Sequence, residues 1–360
     1  MPCGAAGGEA VAQHTVAPLR RTGAHCERGC LHECFCVFQV PAGLDEQRHF
    51  GRAALACHVT QPALSNALRA LEESLGVAIV TRGRSFVGFT TEGERVLASA
   101  RRMLREHELL HQELQSSAAS PSGNLHIGAV PMCMPIAARF VGMLHDLHPG
   151  IVCTLRSMSS SELESGLENM ALDMALGYPE RLEGTRAQLR VVPQYIEHYF
   201  LLRRAGQPDP TGLQKGPSIT WAEAAALPLC LLTGEMHNRT IVDGAFRRAG
   251  VTPRPAIETN SILTLALSVV AGRVSSVMPG AMVDAVQGYG ELQALPLTEP
   301  FIEVPIALML HETNRVSRTL EAALGFAQSA TWLATAARHG NRFEPALAPP
   351  MPVPAVAGKP

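Results

Sequence analysis

Thr60-Gln61-Pro62-Ala63-Leu64-Ser65-Asn66-Ala67-Leu68-Arg69-Ala70-Leu71 is the stretch on which the fold turns. A threonine hydroxyl accepts from the first free amides of a helix, and Pro62 falls in the first turn, where its missing N–H costs nothing. Leu64, Leu68, Leu71 and Leu75 recur at helical spacing and predict one buried face. The opposite face carries Gln61, Ser65, Asn66 and Arg69. Gln and Asn side chains pair with adenine through two hydrogen bonds, and Ser bonds a base edge or a phosphate. Upstream, Arg52-Ala53-Ala54-Leu55-Ala56 predicts a shorter helix joined through Cys57-His58-Val59, with Ala53 and Ala54 small enough for close crossing. An ordinary helix pair with a solvated face has the same pattern, so the segments around it decide.

Leu71-Glu72-Glu73-Ser74-Leu75-Gly76 ends the helix at a glycine cap. Val77–Val80 and Phe86–Thr90 then predict a β-hairpin with Arg82 and Arg84 at its tip, which beside a groove-reading helix is a wing. Charge agrees. The chain carries −2 overall, yet Asp45–Arg105 holds nine Arg against six acids. With lysine only at positions 215 and 359, arginine is the available phosphate ligand.

Four ordered motifs, His49-Phe50-Gly51-Arg52-Ala53-Ala54, His58-Val59-Thr60-Gln61-Pro62-Ala63-Leu64-Ser65, Leu71-Glu72-x-x-Leu75-Gly76 and Phe89-Thr90-x-x-Gly93, resemble the winged helix-turn-helix of LysR-type transcriptional regulators. Weaker likeness continues to about residue 330. Gly123–Ala129 resembles the strand opening the family's effector domain, Leu172–Leu176 the strand closing its first βα pair, and Val274–Pro279 a late strand ending in proline. The resemblance implies an N-terminal all-α winged helix-turn-helix with a long linker helix. It also implies a C-terminal α/β domain of two lobes, like a periplasmic binding protein, around a small-molecule cleft. It implies contacts to double-stranded DNA from Arg52, Thr60, Gln61, Pro62, Ser65, Asn66 and Arg69, with Arg82 and Arg84 holding phosphates or the minor groove.

Domain limits follow from composition and breaks. Residues 1–32 read as a disordered extension, 33–90 as the DNA-binding domain with its helix-turn-helix over 49–68, and 91–118 as a linker and dimerisation helix. Ser116–Gly123 is a helix-terminating joint, 123–330 the effector domain, and the Pro/Ala-rich 339–360 a disordered tail. Short apolar runs, Leu125–Val130, Ile151–Leu155 and Tyr195–Leu202, alternate with amphipathic stretches, Ile136–Leu147 and Ser161–Asn169, as βα units do. One departure from the family lies upstream. Pro41 and Gly43 fall inside the expected first helix, where an interior proline costs ~3 kcal/mol. Either that helix is shortened, or the residues before Leu44 reflect a misassigned start or reading frame.

Val96, Ala100, Met103, His107, Leu110 and Leu114 form a heptad-like seam, read as a homodimer or homotetramer contact or as packing on the chain's own domain. Pro131, Met132 and Cys133 follow the first strand, and Ser157 and Ser159 follow the second, with Ser159 and Glu162 spaced as a capping box. Thr233 to Arg239 and Asn260-Ser261 complete the cleft from the other lobe. Two helix N-termini, at Met132 and near Ser159, favour a bound anion, so the expected effector is a small organic acid. RNA polymerase is a further partner of such a regulator.

With 46% hydrophobic and 17% charged residues over 360 positions and a mean hydropathy of +0.09, the chain suits two or three globular domains. No run reaches the ~18 apolar residues of a membrane helix, and no export signal is evident. Nine cysteines without framework spacing suit a reducing cytoplasm. The tract His25–Cys36 holds soft ligands, but its C-x3-C-x3-C-x-C spacing lacks a zinc knuckle, so neither metal nor cofactor is expected. Two other classes fit parts of the chain: a small-ligand-binding protein without regulation, and a metal or thiol redox sensor built on the cysteines. No enzymatic function is expected.

Overall fold

The structure is a computed structural model describing residues 30–81, 83, 86–115, 120–181, 189–312 and 316–340. Expectations for residues 1–29 and 341–360, for Arg82 and Arg84, and for the side chains of the His25–Cys36 tract lie outside the described residues.

Among the described residues four helices come first: α1 Cys30–Gln47, α2 Phe50–Ala56, α3 Gln61–Leu75 and α4 Thr91–Gln115. Pro41 does not end α1, so of the two readings the shortened helix does not hold. The helix packs on α2, α3 and α4, and Val40 and Leu44 are buried in their shared core, so tertiary contact offsets the lost amide. Thr60 caps α3 by accepting from Ala63 N at 3.4 Å, and Gly76 closes it at φ 69°, a left-handed position that suits glycine. Leu64, Leu68 and Leu71 are buried. Leu75 is 48% exposed, because the last turn runs past the edge of the core.

Among the described residues of the expected hairpin there is one antiparallel bridge, Val80 to Phe89, flanked by Thr81 N to Gly88 O and Thr90 N to Ile79 O. Side chains hold it as well. The buried Glu72 carboxylate accepts from Ile79 N and Val80 N at 2.7 and 3.3 Å. Thr90 donates to Ala78 O at 2.6 Å and accepts from Gly93 N at 2.9 Å. A Cβ on Gly93 would stand 1.9 Å from Ile79 O, so the start of α4 meets the wing only through glycine.

Beyond the joint, the chain builds two α/β lobes from β1 Gly123–Ala129, α5 Met134–Leu147, β2 Ile151–Ser157, α6 Ser160–Glu168, β3 Met174–Gly177 and β4 Leu189–Glu197. It continues through β5 Tyr199–Arg204, β6 Gln214–Lys215, β7 Ile219–Thr220, α7 Trp221–Ala225, β8 Leu229–Leu232 and α8 His237–Arg248. Then come β9 Ile257–Thr259, α9 Ile262–Ala271, β10 Ser275–Pro279, α10 Gly280–Ala285, β11 Leu292–Thr298, β12 Val304–His311, α11 Arg318–Ala327 and α12 Ala330–Gly340. The first sheet runs β2-β1-β3-β12-β4 and the second β6-β11-β5-β10-β8-β9, with β7 on β11. The apolar run Tyr195–Leu202, expected as one strand, divides at His198, where the chain leaves one sheet for the other. It returns between β11 and β12, giving two crossings. The first lobe also outruns residue 330, since Trp332 on α12 is 1% exposed and packs against Phe140 and Phe326.

Candidate nucleic-acid interface and effector cleft

On α3 the buried leucines fix which side faces out. Gln61, Pro62, Asn66 and Arg69 are exposed and Ser65 is half-buried; Pro62, Asn66 and Arg69 lie on the side away from Leu64 and Leu68, whereas Gln61 starts the first turn beside Gly51 of α2. The exposed Thr60 is committed to its cap. Arg52 is exposed, and its guanidinium donates to Gln47 O at 2.8 Å, tying α2 to the end of α1. His49 has a role not assigned from sequence: its Nδ1 accepts from Gly51 N and Arg52 N at 3.1 and 3.3 Å and caps α2. Its place directly before Phe50 was the available signal.

Between the lobes lies a cavity of about 80 Å³. Lobe one contributes Val130, Pro131, Met132, Ser159, Ser160, Ser161 and Tyr178, and lobe two contributes Glu235, Met236, His237 and Asn238. The first turns of α6 and α8 therefore both border it. At α6 the capping box forms, Ser159 Oγ accepting from Glu162 N and the Glu162 carboxylate accepting from Ser159 N. At α8 no side chain caps the helix. The Ser160 Oγ is buried without a hydrogen-bond partner. Asn238 donates to Tyr199 Oη at 2.7 Å and to Tyr178 Oη at 3.4 Å, and the Tyr178 ring meets His237 edge-on at 4.8 Å. The Thr233 hydroxyl donates to Glu235 at 2.7 Å and holds that exposed carboxyl below its ordinary pKa.

Four of the expected lining residues sit elsewhere. Cys133 is fully buried and turns inward to Tyr195. Ser157 stands on the exposed end of β2, so the serines that follow it reach the cavity instead. Thr233 is engaged by Glu235, and Asn260 is exposed in the turn before α9. Pro131, Met132 and Ser159 do line the cavity. Tyr178 had no signal in the sequence, since it reaches the cavity only through the pairing of β3.

A family model described as the LysR substrate binding domain matches residues 118–332, and one described as the bacterial regulatory helix-turn-helix protein, lysR family, matches residues 41–94. The chain belongs to the LysR family. It is a LysR-type DNA-binding transcriptional regulator. Among its relatives is the DNA-binding transcriptional dual regulator OxyR of Escherichia coli K12, 29% identical over 71% of this chain and 82% of that protein. The hydrogen peroxide-inducible genes activator of Pectobacterium carotovorum is 37% identical, but over 37% of this chain and 44% of that protein. Full-length OxyR from Pseudomonas aeruginosa, a variant, shares the fold with a TM-score of 0.62 at 24% identity, covering 82% of this chain and 97% of that one. CbnR complexed with its target DNA has a TM-score of 0.59 at 20% identity, covering 82% and 98%.

In this LysR-family regulator the crossing at His198 carries a buried carboxyl. Glu197 is 2% exposed, accepts from Ala281 N and from the Tyr195 hydroxyl, both at 3.1 Å, and has Cys133 beyond Tyr195. Burial pushes the Glu197 carboxyl up to about 8. It also raises the Cys133 thiol and the Tyr178, Tyr195 and Tyr199 hydroxyls, so the cluster is neutral below that pH. Tyr178, Asn238 and Tyr199 link the cavity wall to this crossing.

The LysR linker helix has two faces. Leu97, Ala100, Arg105, Leu109 and Gln112 are buried within the chain, and Val96 packs on the helix-turn-helix core. That removes Val96 and Ala100 from an exposed seam. Met103, His107, Leu110 and Leu114 are exposed, Leu114 at 76%. On the inner face Arg105 pairs with Asp173 of the effector domain and with Glu108 at 2.6 Å. Gln112 reaches Thr319 at 3.4 Å. Among the described residues no helix is long and apolar enough to cross a membrane.

Proposed function

We propose that this regulator is a cytoplasmic protein whose operator affinity is set by a small organic acid bound between the lobes. The supporting observation is the cavity itself: the starts of α6 and α8, from opposite lobes, border one small space beside the unpartnered Ser160 hydroxyl. A carboxylate there gains from free amides and from both helix dipoles, and it bridges the lobes. Glu235 sets a limit on the other side, so the acid should present a donor of its own there. A small acid should raise the thermal midpoint of the full-length chain, by about 2.7 kcal/mol of stabilisation at a hundredfold excess over Kd. Ser160→Trp should abolish that rise. Stabilisation by cations or apolar rings alone, or a Ser160→Trp variant that still responds, would overturn the assignment.

Relatives named for hydrogen peroxide suggest a thiol sensor instead. No described cysteine lines the cavity, and burial raises the thiols of Cys133, Cys153 and Cys230, which works against a reactive thiolate. The acid reading is therefore preferred.

DNA recognition is assigned to the outer face of α3. Gln61→Ala should cost ~1–3 kcal/mol on a mapped operator and relax one base position, measured by competition between operator variants. Unchanged affinity and specificity would remove Gln61 from base reading. Self-association, as a homodimer or homotetramer, is assigned to Met103, His107, Leu110 and Leu114. Because Leu110 is 46% exposed in the protomer, Leu110→Asp should leave folding intact and separate subunits in sedimentation. RNA polymerase is the further partner expected once two wings occupy two half-sites.

A further inference from the structure

On the exposed face of α4, His107 and His111 stand one helical turn apart with their Nε2 atoms 3.2 Å from each other and ring centroids 4.5 Å apart. Two imidazole nitrogens bound at about 2.0–2.1 Å to one tetrahedral ion are themselves roughly 3.3 Å apart. The pair thus already has the bite of a chelate, set by a rigid 25-residue helix rather than by a loop.

We propose that His107 and His111 form a binding site for a divalent transition ion of the zinc type. Imidazole suits such ions, whereas magnesium and calcium prefer oxygen ligands. In the absence of metal one ring donates its Nε2 proton to the other. On binding, the ring that held its proton at Nε2 moves it to Nδ1 through solvent, so that both Nε2 lone pairs go to the ion and each neutral ring then carries its proton at Nδ1. Among the described residues no third His, Cys, Asp or Glu joins the pair, so water fills the remaining positions and the ion exchanges readily. The site lies on the same stripe as Met103, Leu110 and Leu114, roughly four to six helical turns on from the start of α4. On the proposed reading that this face carries self-association, an ion there places charge on the contact and ties metal supply to assembly of the regulator.

The test uses the full-length chain with zinc alone, followed by equilibrium dialysis and thermal denaturation, and with cobalt as a spectroscopic probe. The parent should take up one zinc equivalent that the His107→Gln/His111→Gln double variant lacks, and zinc should raise the melting midpoint of the parent only. Each single variant should bind roughly a hundredfold more weakly, the gain normally supplied by tethering two ligands on one helix. Cobalt at this site should give visible bands without sulfur charge transfer. Without metal the double variant should have the parent's helix content by circular dichroism, since both rings are exposed on the single chain. Equal zinc uptake by parent and double variant, or a cobalt spectrum of purely thiolate character that the substitutions leave unchanged, would overturn the proposal.

Discussion

Replacing Asp173 with alanine should destabilise the protein by about 3–5 kcal/mol, read as a lower midpoint in urea denaturation. Asp173 is 4% exposed; its carboxylate accepts from the Arg105 guanidinium and, at 2.7 Å, from His126 N. Arg105 is itself 7% exposed, so removing the carboxylate leaves a guanidinium inside the protein with Glu108 as its remaining ion-pair partner among the described residues. A buried charge stripped of its partner is among the few single changes that cost this much. The double variant Arg105→Met/Asp173→Leu should recover most of the loss, because a buried ion pair exchanged for apolar side chains is often neutral or stabilising. Equal destabilisation in the single and double variants would show that the charges themselves are not what joins the linker helix to the first lobe. The same helix α4 therefore bears both the ion pair to the first lobe and the packing against α1.

The second large effect is on pH. Glu197 in the unfolded chain releases its proton near 4.5, whereas in the folded protein it keeps it to about 8. Between those values the folded state binds the extra proton, so stability is greatest below the lower value and falls as pH rises through the window. The slope is about 1.4 kcal/mol per pH unit for one such group. Thermal midpoints measured from pH 5 to pH 8 should therefore decline in the parent and stay nearly level in Glu197→Gln, which keeps the neutral shape. Neither Cys133 nor the surrounding tyrosines ionise in that window, because burial raises all of them. A Glu197→Gln variant with the parent's pH profile would mean that the carboxyl is ionised in the folded protein.

Local chemistry made much of this molecule legible in advance. The Thr60 cap, the glycine at 76, the leucines at 64, 68 and 71 and the alternation of strands and helices each depend on neighbours within a few residues. So does the capping box of Ser159 and Glu162. The segment Thr233–Arg239, expected from sequence to complete the cleft from the second lobe, supplies four residues to the cavity lining. What stayed hidden depends on pairs far apart in the chain. Arg105 and Asp173 are 68 residues apart, and Asn238 is 60 from Tyr178. No local pattern distinguishes Glu197 from any other acid at a strand end; only the passage of the chain between two sheets buries it. Tertiary contact also reversed local expectation. It kept α1 helical across Pro41, left Leu75 outside the core, and drew Val96 and Ala100 inward while leaving Leu110 and Leu114 exposed. Sequence alone determined which segments form and which faces are apolar, because those are short-range properties of the backbone and side chains. Which apolar face meets which, and therefore where a charge, a hinge or a cavity ends up, was decided only when the lobes and the linker packed.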